Sequence, residues 1–325
     1  ERPMRLFVTG ATGFIGAHVV ERLRAGGDVV ALVRSPDRAG ALKRLGCELV
    51  QGELTDEDAI RAGVSGCDGI VHIAAVYKLG VTHDECRDMH RSNVGGTKAV
   101  FEAGMEAGVS RILYVSTINY FGNTFGRVLK EGDKRPSMDF LSCYDETKYR
   151  AHELALEYIE RGAPIVITQP GSAYGPKDHS QVGRMISDAQ RGRAKVMMFP
   201  ELGINMVHVE DVADGIVLAF DKGKVGESYI FGGHIGTMGE LVRRVAELSG
   251  HKPPKRSLPT SLIRASLPLS PVLSKVMGLP SNLRELVKAS DGVTYWATDD
   301  KARRELGYSP RSLDEGLRQT LSESR

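Results

Sequence analysis

The chain has 325 residues, of which 41% are hydrophobic and 26% are charged, as is usual for a globular protein. Its net charge of +2 gives no reason to expect a nucleic acid or an acidic membrane as a partner. We expect neither a signal peptide nor a membrane span, because the amino-terminal ERPMR leads directly into an apolar strand and no apolar run reaches the roughly 18 residues that a span requires.

The first half of the chain alternates short apolar runs with longer stretches of helical periodicity. The longest helical patterns cover residues 14–27 and 85–107. Strands that alternate with helices imply right-handed crossovers, so the pattern predicts an α/β protein with a doubly wound parallel sheet. Six apolar runs are the predicted strands: residues 5–10, 29–34, 47–52, 69–75, 111–117 and 164–170.

After about residue 175 strands become sparse and helical patterns dominate. We therefore predict two domains with an interleaved boundary, a sheet domain at residues 1–175 and a smaller, mostly helical lobe at residues 176–325. Residues 257–280 contain Arg264, Lys275 and several prolines, which favours a helix of this lobe with a flexible lid over a membrane anchor. The helical patterns of the lobe lie at residues 182–192, 211–221, 238–249 and 312–322.

A glycine-rich turn lies between the first predicted strand and the first predicted helix. In FVTGATGFIG, Gly10 permits a tight turn, Gly13 lets the backbone approach a pyrophosphate, and Gly16 allows close helix packing. The exposed N–H groups and the helix dipole then favour the phosphates. The pattern predicts a Rossmann-type dinucleotide-binding domain whose cofactor contacts at this turn are Gly10, Thr12, Gly13, Phe14, Ile15 and Gly16.

The residue that ends the second predicted strand indicates which nucleotide binds. An acidic residue there would hydrogen-bond the adenosine ribose and select NAD. This chain instead has Arg34, followed by Arg38, and a guanidinium suits the 2′-phosphate of NADP in charge and in geometry. The alternative explanation for Arg34 and Arg38 is that they are solvent-exposed basic residues at the start of a helix. We predict NADP as the cofactor, with NAD as the alternative.

Residues 143–150, CYDETKYR, place Tyr144 four residues before Lys148. On a helix the two side chains share a face, and an ammonium there would favour the phenolate and lower the pKa of the tyrosine. The pattern is short, and an aromatic side chain on a helix surface would produce it too. Its meaning therefore depends on the rest of the chain.

Short motifs follow one another in order along nearly the whole chain: TGATGFIG (9–16), GELTD (52–56), HIAA (72–75), NVGGT (93–97), YVST (114–117), YDETK (144–148), QPGSAYGP (169–176), HVEDVADG (208–215) and ELGYSP (305–310). Each motif has low specificity, whereas their order is jointly specific. By these motifs the sequence resembles the extended short-chain dehydrogenase/reductase family, within the NAD-dependent epimerase/dehydratase superfamily. It looks most like the dihydroflavonol-reductase-like branch, which reduces ketones and aldehydes.

The resemblance implies three catalytic residues. Tyr144 would protonate a carbonyl oxygen as the general acid, or act as the base in the reverse direction, and Lys148 would lower the pKa of Tyr144 and hydrogen-bond the nicotinamide ribose. Thr117, at the end of the fifth strand, would hydrogen-bond the substrate oxygen, since Ser116 lies one residue too early. A strand threonine satisfied by the backbone is the alternative for Thr117. Asn93 resembles the family asparagine that supports the site from a helix.

The resemblance also assigns the remaining cofactor contacts. It places Glu53 and Leu54 near the adenine, although the family more often has aspartate where Glu53 stands. The other contacts are Ala74 and Ala75 beside the adenosine ribose, and Pro170, Gly171 and Ser172 facing the nicotinamide. Ordinary packing at strand ends is the alternative explanation for each of these positions.

Two departures from the family pattern narrow the function. Family members that dehydrate nucleotide sugars carry an Asp-Glu pair after the strand-end threonine, where this chain has Ile118 and Asn119. Nucleotide-sugar epimerases typically show Arg-Asp where this chain has Ile204 and Asn205, so a pyrophosphate-bearing substrate loses a charge partner. An apolar pocket is predicted instead, although methionines are also common core residues. The residues that indicate this pocket are Met197, Met198, Phe199 and Met206.

The four cysteines predict free thiols in a reducing compartment, and hence a cytoplasmic protein, because so few in a chain of this size do not indicate a disulfide framework. In HDECRDMH (83–90), the spacing of His83, Cys86 and His90 would allow a metal ion. The family resemblance implies no metal there, and we interpret the segment as a polar helix start.

Together these features predict an NADP(H)-dependent oxidoreductase that reduces a ketone or aldehyde, or oxidises the matching alcohol. A nucleotide-sugar epimerase that retains NAD is the first alternative, and a non-catalytic protein that senses NADP is the second. The expected partners are a small-molecule substrate of apolar character and a second copy of the chain. The family resemblance implies that such a dimer forms through the helices at residues 85–107 and 145–161.

Overall fold

The computed structural model describes residues 3–269 and 282–323. The lid predicted within residues 257–280 lies outside these ranges from residue 270 onward. Before that point the structure shows a short helix, Thr260–Ser266. Across the described residues, no helix is both long enough and apolar enough to cross a bilayer.

Seven strands form one parallel sheet at the centre of the molecule. Numbered together with the strands of two smaller sheets, they are β1 (Met4–Thr9), β2 (Gly27–Val33), β3 (Glu48–Gln51), β4 (Gly69–His72), β5 (Arg111–Val115), β6 (Ile165–Pro170) and β10 (Ser228–Phe231). Their order across the sheet is β10-β6-β5-β4-β1-β2-β3, and every neighbouring pair is parallel. The order reverses between β1 and β4, so the predicted doubly wound, Rossmann-type α/β fold is confirmed.

Two smaller sheets belong to the second half of the chain. One has the order β11-β9-β7 and the other pairs β12 with β8. Their strands are β7 (Ser172–Tyr174), β8 (Val196–Met197), β9 (Gly203–His208), β11 (His234–Thr237) and β12 (Arg256–Ser257).

Helices cover both faces of the large sheet, and others dominate the C-terminal region, as predicted. Because both faces are covered, every residue of β4 and β6 is buried, which explains why these strands are mostly apolar. The helices are α1 (Phe14–Arg24), α2 (Gly40–Arg44), α3 (Glu57–Val64), α4 (His83–His90), α5 (Gly96–Ala107), α6 (Cys143–Glu160), α7 (Gln181–Gln190), α8 (Val209–Lys222), α9 (Met238–Leu248), α10 (Thr260–Ser266), α11 (Leu283–Ser290), α12 (Asp300–Leu306) and α13 (Leu313–Glu323).

The structure differs from the sequence prediction in two elements. The sheet has a seventh strand, β10, which comes from the second half of the chain and has only four residues. The helix predicted at residues 85–107 is divided by a π-helical turn, Arg91–Gly95, between α4 and α5. The division into domains at residue 175 stays a prediction, with β10 crossing it into the large sheet.

The functional site is expected where the strand order reverses. The carboxyl ends of β1 and β4 are neighbours there, and their connecting helices leave on opposite faces, which opens a crevice for a ligand.

Candidate active site

The glycine turn joins β1 to α1 at this crevice. Gly10 has a φ of 75°, a left-handed conformation that side chains disfavour, and a Cβ on it would lie 2.7 Å from the backbone N of Ala74. A Cβ on Gly16 would lie 1.9 Å from the carbonyl oxygen of Gly10. Gly10 is therefore required by the close approach of the turn to the loop after β4, and Gly16 by the close approach of α1 to the turn.

The first turn of α1 has backbone N–H groups that no side chain caps. Gly13 is the residue that precedes the helix, and no acidic side chain lies in the first turn. Such an end, with its positive dipole, suits a pyrophosphate, so the residues present fit a dinucleotide cofactor. Thr12, also predicted as a contact, is exposed.

Arg34 and Arg38 follow β2, the strand beside β1. Both side chains are exposed, and within the described ranges no hydrogen bond or ion pair holds either guanidinium. Neither residue lines the cavity described below. Their predicted contact with a 2′-phosphate therefore stays a prediction, to which their exposure gives access.

Glu53 and Leu54 lie in the turn after β3. The exposed Glu53 carboxylate accepts a hydrogen bond from the Thr55 hydroxyl at 2.6 Å. Leu54 packs against α5, where a Cβ on Gly96 would lie 2.6 Å from the Leu54 Cβ. Neither residue lines the cavity, and their contact with adenine stays a prediction.

A cavity of about 830 Å³ extends from the glycine turn into the C-terminal lobe. Lys148 and Pro170, which the sequence also assigns to the site, are buried and do not line it. The cavity thus brings together most of the predicted cofactor and catalytic residues. Those that line it are Gly10, Gly13, Phe14, Ile15, Gly16, Ala74, Ala75, Thr117, Tyr144, Gly171 and Ser172.

Thr117 and Tyr144 both line this cavity. The Thr117 Oγ1 accepts from the backbone N–H of Asn119 at 3.2 Å, so its own proton is available for donation. Burial raises the pKa of Tyr144 above its usual value, and the nearby Tyr77, whose ring centre is 4.6 Å away, adds to this. The phenol is therefore protonated at neutral pH, as a general acid must be.

Lys148 lies one helical turn after Tyr144 and is 3% exposed. Its Nζ donates to the carbonyl oxygen of Val115 at 3.1 Å and lies 5.2 Å from the centre of the Tyr114 ring. Burial lowers the pKa of Lys148 to about 7. Burial is thus the main cause of both pKa shifts. The pKa of Tyr144 is raised, whereas the sequence analysis predicted that Lys148 would lower it.

Ser116 and Thr117 have different environments, although they are neighbours. Ser116 is buried, and its hydroxyl is hydrogen-bonded to Nδ1 of His152 at 2.8 Å. Thr117 lines the cavity and Ser116 does not. This arrangement agrees with the register predicted from the sequence, in which Ser116 comes one residue too early.

Asn93 connects the loop after β4 to α6. It lies in the π-helical turn and is 2% exposed. Its side chain accepts from the N–H of Val76 at 2.7 Å and donates to the carbonyl oxygen of Val76 at 2.9 Å and to the Thr147 Oγ1 at 3.1 Å. Asn93 therefore supports the cavity wall without lining it, as the family resemblance implies.

His72 extends this support to the glycine turn, a role that sequence reasoning missed. The Thr97 hydroxyl donates to the carbonyl of Asn93, so it accepts from Nε2–H of His72 at 2.9 Å. Nδ1 of His72 then accepts from the Thr9 hydroxyl at 2.7 Å, and Thr9 accepts from the N–H of Ala74 at 3.2 Å. Burial, with the charge of Lys148, lowers the pKa of His72 to about 3 and keeps it neutral. A histidine within an apolar strand was the available signal.

A buried ion pair links the loop after Thr117 to the helix that carries Tyr144. Arg135 and Asp145 form two hydrogen bonds of 2.8 and 2.5 Å, and both side chains are 2% exposed. The same guanidinium donates to the carbonyl oxygens of Asn119 and Tyr120. Sequence reasoning missed this ion pair, because nothing in the spacing of Arg135 and Asp145 indicates it.

The part of the cavity in the C-terminal lobe is mostly apolar. Asn205 is fully buried. Its side-chain amide donates to the carbonyl oxygen of Ala297 and accepts from the N–H of Gly233. Met206, predicted to form the pocket, is instead packed in the core of the lobe and does not line the cavity. The apolar lining residues of the lobe include Met185, Met197, Met198, Phe199, Leu202, Ile204, Met238 and Val242.

The prediction of four free thiols was wrong. Cys86 of α4 and Cys143 of α6 form a disulfide bond, while Cys47 and Cys67 are free and buried. The pairing joins residues 57 positions apart, which the spacing of the cysteines did not reveal. The cysteines therefore no longer argue for a reducing compartment, and the cytoplasmic location stays a prediction.

The fold and the cavity define an NAD(P)-dependent oxidoreductase of the short-chain dehydrogenase/reductase type. The family model described as the NAD dependent epimerase/dehydratase family matches residues 6–232. The chain belongs to this family.

The similarity to named relatives and to a solved structure covers nearly the whole chain. A Synechocystis protein described as a candidate dihydroflavonol 4-reductase is 32% identical over 96% of this chain and 92% of its own length. A Stigmatella aurantiaca protein, 4-hydroxy-2-methyl-3-oxo-4-farnesyl-3,4-dihydroquinoline-1-oxide ketoreductase, is 30% identical over 95% of this chain and 92% of its own length. The crystal structure of gox2253 superimposes with a TM-score of 0.82 and 33% identity, covering 99% of this chain and 98% of that one.

Proposed function

We propose that this protein reduces a ketone or aldehyde on an apolar small molecule, with NADPH as the reductant, and oxidises the matching alcohol in the reverse direction. One observation carries the proposal: a single cavity contains the glycine turn, the Thr117–Tyr144 pair and an apolar lobe. The name of the Stigmatella aurantiaca relative, a ketoreductase of a farnesyl-bearing compound, supports both the reaction and the apolar substrate.

The roles of the chain's own residues follow from their surroundings. When bound, NADPH supplies hydride to the carbonyl carbon. The Tyr144 phenol holds the proton that the carbonyl oxygen needs, and the Thr117 hydroxyl donates a second hydrogen bond to that oxygen. The Lys148 Nζ donates to the carbonyl oxygen of Val115, and its pKa of about 7 leaves it roughly half protonated at neutral pH. In this proposal it hydrogen-bonds the nicotinamide ribose when the cofactor is bound.

The test of this function compares two tyrosines of α6. Tyr144→Phe should lower kcat by about 10²–10⁴-fold while NADPH affinity changes little, because only the proton donor is lost. Tyr149→Phe is the matched control, since Tyr149 lies on the same helix and does not line the cavity. The readout is NADPH oxidation with a panel of apolar ketones and aldehydes. Full activity of Tyr144→Phe would refute the assignment.

The choice of NADP over NAD rests on Arg34 in this proposal. Arg34→Ala should weaken NADPH binding at least tenfold and leave NADH binding unchanged, since the lost guanidinium faces only the 2′-phosphate. Lys43→Ala removes an equally exposed cation from α2 and serves as the control. Equal losses for both nucleotides would contradict the role of Arg34.

A nucleotide-sugar epimerase is the second candidate, because the family description includes epimerases and the same Thr117–Tyr144 pair would serve. Ile204 and the fully bonded Asn205 provide no cation where the family's epimerases typically have Arg-Asp, which disfavours a pyrophosphate-bearing substrate, whereas Arg193 and Lys195 also line the cavity. Denaturing the purified protein and identifying any released nucleotide separates the candidates. Tightly retained NAD, with a UDP-sugar that raises the melting temperature, would favour the epimerase.

We also propose that the protein is a cytoplasmic homodimer, paired through α4, α5 and α6. Light scattering of the purified chain measures the mass directly. A monomer at micromolar concentration would refute the dimer.

A further inference from the structure

The seam between α4 and α6 contains a cluster that the proposed reaction does not use. Cys86 and His90 lie one turn apart on α4, and Cys143 is the first residue of α6. The ligand atoms of these three side chains all lie within 4.8 Å of one another. We propose that they form a binding site for a thiophilic divalent cation, with Zn²⁺ as the ion that fits best, and that the site opens when the disulfide is reduced.

The donor set selects the metal. Two thiolates and one imidazole are soft or borderline ligands, which favour Zn²⁺ over Mg²⁺ or Ca²⁺. Ligand atoms around one tetrahedral Zn²⁺ stand roughly 3.3–3.8 Å apart. Since the three atoms already lie within 4.8 Å, small side-chain rotations bring them to that spacing once the two sulfurs separate.

Glu146 supplies the carboxylate that zinc-bound histidines usually have beside them. Its Oε2 lies 3.7 Å from Nε2 of His90, and Arg150 holds the carboxylate through Oε1 at 2.7 Å. A carboxylate in this position orients the imidazole and raises its basicity. In the proposed site Nδ1 of His90 binds the ion, and water takes the fourth coordination position.

In a single copy of the chain the site is reachable from solvent, and in the proposed dimer, which pairs through α4, α5 and α6, it borders the interface. Cys143 is 8% exposed, whereas Cys86 and His90 are half-buried, so an ion and a reductant approach from the α4 side. The cluster thus differs from the set His83, Cys86 and His90 that the sequence spacing offers. Cys143 contributes the second sulfur from another helix.

The redox step is thiol–disulfide exchange. A dithiol reductant attacks one sulfur of the Cys86–Cys143 bond through its thiolate, and its second thiol then closes its own disulfide. The protein gains two electrons and two protons as two thiols. Binding of Zn²⁺ displaces both thiol protons, so the ion binds only to the reduced form.

The position of the site couples it to Tyr144. Cys143 directly precedes Tyr144, and Cys86, Cys143 and Tyr144 pack in one apolar cluster. Either the disulfide or the bound ion holds α4 against the start of α6. The reduced, metal-free form lacks this link at the residue before the proton donor.

Cobalt is the probe for the test because its thiolate complexes absorb light. The full chain is reduced with dithiothreitol, freed of reductant without oxygen, and titrated with Co²⁺. We expect one equivalent to bind with a sulfur-to-cobalt absorption band that Zn²⁺ abolishes, and no such band for the oxidised protein. Absence of the band in protein with two newly reduced thiols would overturn the proposal.

Variants assign the ligands. Cys86→Ser should abolish the absorption band. His90→Ala should weaken Co²⁺ binding at least tenfold, and Glu146→Gln should weaken Co²⁺ binding about tenfold. Cys67→Ala, which removes a free buried cysteine, is the control and should bind normally. Normal binding by Cys86→Ser, or loss in the control alone, would overturn the assignment.

A measurement on the unaltered sequence covers the case in which a variant fails to fold. Zn²⁺ should slow alkylation of Cys86 and Cys143 in the reduced protein at least tenfold, as mapped by mass spectrometry. Unchanged alkylation of these two residues would refute the site.

Discussion

Replacing Asp145 with asparagine tests how far the buried ion pair determines stability. The substitution keeps the size of the side chain but leaves the Arg135 guanidinium, 2% exposed, without its counter-charge. It also changes the acceptor for the N–H of Leu141, which is 2.8 Å from the Asp145 Oδ2. Breaking a buried pair by removing one partner costs about 3–5 kcal/mol, and we expect a loss of that size in the free energy of unfolding.

The control for this experiment is Glu157→Gln in the same helix. Glu157 pairs with Arg161 at 3.8 Å, with the two side chains 60% and 63% exposed, so its loss should cost about 0.5 kcal/mol or less. Urea unfolding followed by circular dichroism measures both variants. A shift of the Asp145→Asn midpoint as small as that of the control would refute the reasoning.

The same substitution should separate kcat from KM. Arg135 donates to Asn119 and Tyr120, which follow Thr117, while Asp145 follows Tyr144, so in the proposed reaction the ion pair sets the separation of the Thr117 and Tyr144 hydroxyls. We expect kcat to fall at least tenfold and KM for the cofactor to change less than twofold. Partial unfolding would also lower the apparent kcat without changing KM, so kcat is calculated per folded molecule, counted by titrating NADPH binding sites. An unchanged kcat per folded molecule would refute the positioning role of the pair.

Three further predictions concern single residues. Lys148→Met should stabilise the cofactor-free protein most at or below pH 7, and the gain should shrink as the pH rises toward 10.5. The reason is that the amine of Lys148 has a pKa of about 7 in the folded protein, whereas in the unfolded chain it stays protonated across that range. A gain in urea unfolding that does not depend on pH would contradict this. The free energy of unfolding should fall as the pH drops from 6.5 toward 3, because His72 binds a proton in the unfolded chain and, with a pKa of about 3, does not in the folded protein. His72→Gln should reduce the slope of this free energy against pH by about 1.4 kcal/mol per pH unit. An unchanged slope would contradict the prediction. Gly16→Ala should lower the melting temperature and weaken NADPH binding at least tenfold, because its Cβ meets the carbonyl of Gly10, whereas Gly26→Ala, with nothing within 4 Å, should change neither.

The large sheet was predictable because its strands are local patterns. Strands buried on both faces are mostly apolar, and six of the seven were identified from the sequence. The strand β10 (SYIF) was missed because it lies among the helical patterns of the second half of the chain, and its place in the sheet depends on pairing with the distant β6. The break after α4 was missed for a similar reason, since Asn93 matters only through its bonds to Val76 and Thr147.

The candidate site was predictable only where its residues are close in sequence. The glycine turn and the Tyr144–Lys148 spacing are local, so the sequence indicated them directly. Arg135 and Asp145 lie ten residues apart across an irregular loop, and their ion pair depends on how that loop folds. The bond between Cys86 and Cys143 depends likewise on the packing of α4 against α6.

The place of β10 in the sheet also bears on synthesis. Strand β6, every residue of which is buried, has one edge that remains unpaired until Phe231 has left the ribosome, 61 residues after Pro170. At a synthesis rate of about 5–20 residues per second, that edge waits roughly 3–12 s. An unpaired apolar edge is a template for aggregation, so a chain cut at residue 175 should be insoluble, whereas one that includes β10 completes the sheet.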